Sequence, residues 1–535
     1  MMRKPYNGVS TRKTVQTDPV LDRNQIKNNA GGYVFSLDIW KRLDRFLILG
    51  SEGGTYYVTE QKLTEDNTTV LLSCIENDGI RAVNAIVDIS VSGRNPKQSP
   101  ILFALAMCAS LGDKMTRQVA LSHLSDVCRT ATQLFEFLEY AQQFRGWGRS
   151  LRRSVAAWYT DKTRHQLELQ VAKYQSRNGW THADAIKLSH PKKIEYNDIF
   201  KFILGGDDVE THDVIHGMLL ANKAENVSEI IKIIDEYKLP RECIPTKFLN
   251  EPDVWRILLR DMPLTAMIRN LGKMTQVGLL KPLSDDATLI AQKLTSEEHL
   301  LKARVHPFSV LLALRTYKDG HGFKGTLRWS PIASIVDALD NAFYLSFGNV
   351  NPTGKRIMLA LDVSGSMVAT LLGSSLSCRE ASAAMALITA KTESSHVFVG
   401  FTSEGGSYYS LRGTGIDLLN ISPRMRLDNV IEYVESLNFG GTDCALPMIY
   451  AQKHDLSIDA FVIYTDSETW AGKIHPFQAL NEYRKTSGID AKLVVVGMTS
   501  TGFTIADPTD PGMLDVVGFD SATPQVISDF ISGNI

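Results

Sequence analysis

The chain has 535 residues, more than one hydrophobic core usually sustains, so two or more domains are expected. Its 57 Lys and Arg against 59 Asp and Glu leave a formal net charge of −2, which by itself argues neither for nor against a nucleic-acid partner. The longest apolar runs, such as Ile101–Ala109, are too short to span a bilayer. The Met1–Asn7 start lacks the apolar core of a secretory leader, and six scattered cysteines form no CxxC pair. A cytoplasmic protein with reduced thiols and no membrane partner is the expectation.

Charge is unevenly spread. From Lys355 onward there are 12 basic and 20 acidic residues, against 45 and 39 before it. Within the earlier part, Ala141–Lys193 holds 11 basic and 3 acidic residues, a balance of +8 able to focus a polyanion.

In chain order, residues 1–30 are polar and expected to be a flexible segment. Residues 31–353 read as helical. A short helical stretch near Thr68–Cys74 precedes apolar-periodic segments at 101–111, 115–128, 131–144, 154–159, 163–175, 214–224, 227–237, 252–259 and 264–271. Short breaks, including Arg177-Asn178-Gly179 and Gly205-Gly206-Asp207-Asp208, separate them. Many helices with brief connections predict stacked helix pairs.

The pattern changes at Asn351-Pro352-Thr353-Gly354, so residues 354–535 read as a separate domain. Short apolar strands are predicted at 357–361, 396–401, 460–464, 492–496 and 514–517. Helices are predicted between them at 377–392, 427–437 and 445–452, with a last one at 523–531. Fully apolar strands alternating with helices predict a mostly parallel sheet covered on both faces. The expected fold is therefore multidomain, an all-α repeat unit followed by an α/β, Rossmann-like domain.

Asp362-Val363-Ser364-Gly365-Ser366 follows the first strand, where open α/β sheets place their sites. Thr442 precedes a helix and Asp466 ends a later strand. Two carboxylates and three hydroxyls suit a hard divalent cation, Mg²⁺ in particular, bound directly or through water. With no His or Cys in the set, zinc is disfavoured. Read alone, Asp362 is also a good helix cap and the serines good turn residues. Asp443 reads as a helix cap, and Thr465 and Ser467 as supporting or turn residues.

In the basic stretch, Lys173 and Arg177 are expected on one face at the end of a helix, with Asn178-Gly179 as its C-cap. Thr181 and Asp184 mark the next helix start, Lys187 and His190 lie three apart on it, and Pro191 stops it. Two helix ends would then gather Lys173, Arg177, Lys187 and His190 for a phosphate backbone. Helix-dipole matching and local capping are the alternative reasons for these residues. Arg149 and Arg153, with Arg145 and Arg152, add charge beside Trp147. The neighbouring aromatics Trp158, Tyr159, Tyr174 and Trp180 read first as core anchors.

The Asp362, Ser364, Ser366, Thr442, Asp466 pattern resembles the metal-ion-dependent adhesion site of the von Willebrand factor A domain. Upstream, Arg45-Phe46-Leu47-Ile48-Leu49-Gly50-Ser51-Glu52-Gly53-Gly54-Thr55-Tyr56-Tyr57 resembles the opening of the TROVE module. So do Asn178-Gly179-Trp180, Leu188-Ser189-His190, Leu259–Ala266, Ile268–Gly272, His306-Pro307-Phe308 and Thr316-Tyr317, in order. The whole chain is thus similar to bacterial members of the Ro autoantigen family. The resemblance implies a ring of HEAT-like helix pairs and a non-enzymatic, monomeric RNA-binding protein of RNA quality control, rRNA processing and stress response. It implies Y RNA on an outer basic surface matching Lys173, Arg177 and His190. Single-stranded 3′ ends of misfolded or precursor small and ribosomal RNAs would enter the central hole, assisted by a 3′-to-5′ exoribonuclease. Arg94, Lys97, Lys114 and Arg117 are candidates to line that hole. An acidic protein ligand is a further partner for the metal. Two other functions stay open at this point, a metal-dependent protein-binding scaffold without RNA and a metal-dependent ribonuclease.

Overall fold

A computed structural model describes residues 13–21, 23–206, 213–322, 325–348, 350–404, 413–437 and 440–535. Asp207 and Asp208 of the expected break lie outside them. Two compact units result, with divisions after Thr68 and after Gly348.

The described chain opens with strands β1 (Gln25–Lys27) and β2 (Tyr33–Ser36) and helix α1 (Ile39–Leu49). Helix α2 (Glu60–Ser92) bends at Asp78, whose φ of −154° and ψ of 86° are non-helical, and the first division falls inside it. The sequence pattern predicts only a short helical stretch here. Asn77-Asp78-Gly79 interrupts the periodicity, although Leu71, Cys74, Ala82, Val83, Ile86 and Ile89 continue one buried face.

The helical unit continues through α3 (Ser99–Leu111), α4 (Lys114–Ser122), α5 (Leu124–Val127), α6 (Ala131–Phe144), α7 (Arg149–Thr160) and α8 (Arg164–Lys173). A two-stranded ribbon, β3 (Ser176–Arg177) with β4 (Trp180–Thr181), then leads into α9 (His182–Ser189). After it come α10 (Asn197–Ile203), α11 (Val214–Lys223), α12 (Val227–Tyr237), α13 (Pro252–Asp261), α14 (Leu264–Gln276), α15 (Asp285–Leu294), α16 (Glu297–Lys302), α17 (Pro307–Lys318) and α18 (Ala333–Leu345). Consecutive helices pack in pairs, α3 with α4, α11 with α12 and α17 with α18 among them. Residues from opposite ends of this unit meet directly. Arg304 Nη1 donates to the Val91 carbonyl at 2.7 Å, and His306 Nε2 lies 2.9 Å from the Arg94 carbonyl. No described helix is long and apolar enough to cross a membrane.

The α/β unit carries β5 (Ile357–Asp362), α19 (Cys378–Thr392), β6 (His396–Phe401), β7 (Ile416–Leu418), α20 (Leu427–Glu435) and α21 (Leu446–Lys453). It ends with β8 (Ala460–Thr465), α22 (Pro476–Ser487), β9 (Lys492–Gly497), β10 (Phe503–Thr504), β11 (Met513–Val517) and α23 (Thr523–Ser532). The sheet order is β11-β9-β8-β5-β6-β7, parallel except for edge strand β7. Every residue of β5 and β8 is buried, as an apolar strand covered on both faces must be. Asp362 therefore stands at the carboxyl end of a central strand.

Two expectations about boundaries need correction. Of the segment expected to be flexible, residues 1–12 and 22 lie outside the described residues, but 13–21 and 23–30 are tied down. Gln16 and Asn28 are buried, with their amides bonded to the α/β unit. Residues 31–68, expected with the helical domain, also group with the α/β unit. β2 pairs with β10, and α1 packs on β11. The tie is polar as well as apolar. Arg45 of α1, 1% exposed, meets Asp515 of β11 at 2.6 Å, and its Nη1 donates to the carbonyls of Thr501 and Phe503, both at 3.2 Å.

The helical unit has its own buried polar centre. His182 Nδ1 faces the Tyr159 hydroxyl at 2.9 Å, its Nε2 faces the Gln170 carbonyl at 3.3 Å, and Phe135 meets the ring edge-on at 5.0 Å. These partners set a neutral imidazole with the proton on Nε2. Burial pulls its pKa down from 6.5 to about 4.

Arg45→Met leaves the Asp515 carboxylate buried without its cation and should cost about 3–5 kcal/mol in chemical denaturation. The double variant R45M/D515L should recover a large part of that loss, and additive losses would show that the pair is not coupled. Between pH 6.5 and about 4 the unfolded chain protonates His182 while the folded chain does not. Stability present above pH 6.5 is therefore lost as pH falls through that window, by up to about 3 kcal/mol. His182→Phe should flatten the acid limb of the thermal-unfolding profile; parallel profiles would refute the assignment.

Candidate functional site

The loop after β5 turns because its own side chains bond its backbone. Asp362 Oδ1 accepts from the Ser364 N–H at 2.9 Å, and Oδ2 accepts from the Thr465 hydroxyl at 2.6 Å. The Ser364 and Ser366 hydroxyls lie 3.2 Å apart, and the Ser366 hydroxyl bonds Asp466. The Gly365 N–H donates to the Gly440 carbonyl at 3.3 Å, tying this loop to the one that carries Thr442. Thr442 is buried, and its carbonyl accepts from the N–H groups of Trp470 and Ala471, both at 3.0 Å. The structure thus gathers all five predicted residues on three adjoining loops at the carboxyl ends of β5 and β8.

The electrostatics are those of an anionic pit. Burial pushes the Asp362 carboxyl above its usual range. Burial pushes Asp466 further, with repulsion from Asp362 and Glu468 added. Two buried carboxylates that repel one another, flanked by three hydroxyls, are a donor set that a small hard cation fits. Such a cation would relieve the repulsion and complete its shell with water. With only two carboxylates in this set, the three hydroxyls would be integral to such a site.

Supporting residues are only partly legible in the sequence. Thr465 supports Asp362 as expected, but Asp443 is not the helix cap: α21 is capped at Ala445 with no side-chain bond, and Asp443 Oδ1 accepts from the Ala445 N–H at 3.0 Å in the turn before the helix. Arg379, on the alanine-rich α19, is not among the expected residues. Its buried guanidinium donates to the carbonyls of Val363 and Ser364 and, at 3.1 Å, to that of Leu437. The sequence signal near it, the capping box of Ser377 and Glu380, marks only the helix start.

The basic stretch folds differently from expectation. Lys173 ends α8, but Arg177 stands on β3, so the two share no helix face. Asn178 and Gly179, with φ of 51° and 79°, form the ribbon's tight turn rather than a helix C-cap. Lys173 is largely covered, 3.9 Å from Glu242 and 5.3 Å above the Tyr174 ring. His190 is the exposed left-handed cap of α9, and Lys187 is exposed in its last turn. Thr181 starts α9 as expected, and it forms a capping box with Asp184.

Much of the nominal positive charge is already engaged. Arg164 pairs with Asp198 and with Glu168 at 3.2 Å. Lys162 lies 3.4 Å over the Trp158 ring, where burial brings its pKa down to about 8. By contrast Arg149, Arg152, Arg153, Arg177 and Lys187 are exposed, and none has a carboxylate partner among the described residues. Trp147 and Trp180 bring their elements together, with ring centroids 6.0 Å apart. Trp147 precedes α7, which carries Arg149 and Arg153, while Trp180 lies opposite Arg177 on the ribbon. α9 packs on α7. Trp158 and Tyr159 are core residues, as expected.

Comparison with known proteins agrees with both halves. A family model for the TROVE domain matches residues 26–210 and 236–319, and one for the Ro60 von Willebrand factor A domain matches 356–531. The RNA-binding protein RO60 of Caenorhabditis elegans is 36% identical over 99% of this chain and 93% of its own length. The RNA-binding protein RO60 of Deinococcus radiodurans is 40% identical over 96% of this chain and 97% of its own. The crystal structure of the Deinococcus radiodurans RO (RSR) protein superposes with a TM-score of 0.69 at 38% identity, covering 93% of this chain and all of that one. With similarity extending over nearly the full length of each relative, the chain belongs to the Ro60 family, pairing a TROVE domain with a von Willebrand factor A domain.

Proposed function

We propose that this protein binds small structured RNA of the Y RNA class on the cationic surface built by α7, the β3–β4 ribbon and α9. The observation that carries the reading is the set of exposed cations left without carboxylate partners, among the described residues, around the Trp147–Trp180 contact. Free guanidinium groups on a rigid, aromatic-pinned platform suit phosphate contacts, which position a folded RNA without reading its bases. Arg149, Arg153, Arg177, Lys187 and His190 are the contacts on this reading, and Lys173 joins them on release from Glu242. The names of the relatives support RNA as the ligand. The hydrogen bonds from Arg304 and His306 to the turn at Val91–Arg94 support a helical path that closes on itself. Through it, unpaired 3′ ends of misfolded or precursor small and ribosomal RNAs would pass, for trimming by a partner 3′-to-5′ exoribonuclease.

In the α/β unit, Asp362, Ser364, Ser366, Thr442 and Asp466 are proposed to hold Mg²⁺. Bound there, the cation would offer an open position to an acidic group of a protein ligand. The chain's own residues hold the two carboxylates at the strand ends and supply hydroxyl donors. A single hydroxyl-rich set suits binding better than a two-metal nuclease does.

Replacing Arg149, Arg153 and Arg177 together by alanine should weaken binding of a structured small RNA by about tenfold or more. Anisotropy titrations across a salt series should also show a shallower dependence, by about one slope unit for each phosphate that is no longer neutralised. An unchanged slope would rule out this surface. Mg²⁺ should raise the melting temperature of the wild-type protein, by linkage, and Asp466→Asn should abolish the increment. An equal increment in both would place the ion elsewhere.

A further inference from the structure

Gln16 is fully buried, and both ends of its amide are engaged. Its Nε2 donates to Asp443 Oδ1 at 2.7 Å and to the Ile474 carbonyl at 2.9 Å. Its Oε1 accepts from the Thr469 hydroxyl at 2.5 Å and the Gly472 N–H at 3.2 Å. Asp443 adjoins Thr442, and the Thr469–Ile474 loop follows Asp466 closely. One side chain therefore joins the two loops that carry these ligands.

The contacts continue along the same N-terminal arm. Asn28 Nδ2 donates to the carbonyls of Ser467 at 3.2 Å and Thr469 at 2.8 Å. The Glu468 carboxylate accepts from Asn29 Nδ2 at 2.7 Å and from the Ala30 N–H at 2.9 Å. The approach is too close for larger residues. A Cβ on Gly472 would stand 2.2 Å from Gln16 Nε2, and one on Gly32 would stand 1.9 Å from the Thr469 carbonyl oxygen. Both sides of the contact are shaped for each other.

We propose that Gln16, Asn28 and Asn29 are positioning residues for the cation site, and that docking of the arm and occupancy of the site are thermodynamically linked. The inference rests on the reading of Asp362, Ser364, Ser366, Thr442 and Asp466 as cation ligands. Its physical basis is reorganisation. Buried loops that must present oxygens to a cation bind it more tightly when their geometry is set in advance, and supporting hydrogen bonds do that. Linkage is reciprocal, so a cation that prefers the ordered loops must favour the docked arm equally.

The test is calorimetric titration of the full chain with Mg²⁺, in wild type, Gln16→Ala and Asn29→Ala. Both variants should bind about tenfold more weakly. Asn29 is exposed, so its variant decides the matter if Gln16→Ala compromises folding by circular dichroism. The reciprocal arm is trypsin cleavage after the exposed Lys27, which Mg²⁺ should slow in wild type and not in Asp466→Ala. Wild-type affinity in Asn29→Ala, with cleavage indifferent to Mg²⁺, would overturn the linkage while leaving the cation site intact. A wild type that takes up no Mg²⁺ would remove the cation reading and the linkage with it.

Discussion

A charged or polar group taken out of water must find a partner, and much of this architecture follows from that constraint. Asp362, Asp443, Asp466 and Glu468 are all buried near the ends of β5 and β8. Each draws hydrogen bonds from backbone N–H groups, hydroxyls or side-chain amides, and some of those donors come from hundreds of residues away in sequence. The N-terminal arm is consequently part of the α/β unit, and its polar composition reflects what it must satisfy.

The same constraint explains the opening of the TROVE signature. Arg45 is buried against Asp515, so α1 belongs with the sheet even though its sequence signature belongs to the TROVE match. Other residues of the resemblance are structural too. His306 caps α17 and bonds the Arg94 carbonyl, while Tyr317 stacks with Trp329 at 6.0 Å and bonds Thr275 at 2.9 Å. Much of what identifies the family is therefore a record of buried polar contacts rather than of ligand contacts.

On the helical unit the decisive quantity is free charge, not total charge. Arg164, Lys162 and Lys193 contribute to the count of 11 basic residues but are engaged by Asp198, by the Trp158 ring and by Tyr196. Arg149, Arg152, Arg153, Arg177 and Lys187 stay exposed on α7, the ribbon and α9, elements joined by the two tryptophans or by packing of α9 on α7. On the proposed reading, a phosphate chain would respond to that residual pattern, because an ion pair already formed must be broken before its cation serves another anion.

The five oxygen-bearing residues, the alternation of buried strands with helices and the helical character of the middle region were all readable along the chain. Each depends on local periodicity or on short spacing at a strand end. The ribbon at Asn178-Gly179 was readable in principle, since that dipeptide favours tight hairpins, but two residues of strand on each side leave no alternation to detect. Tertiary structure alone decided that Gln16 meets Asp443, that Arg45 meets Asp515, that Arg379 holds the loop after β5, and which cations stay exposed and without a carboxylate among the described residues. Those outcomes join residues far apart in sequence, and no local period encodes which distant backbone group will satisfy a buried amide or guanidinium.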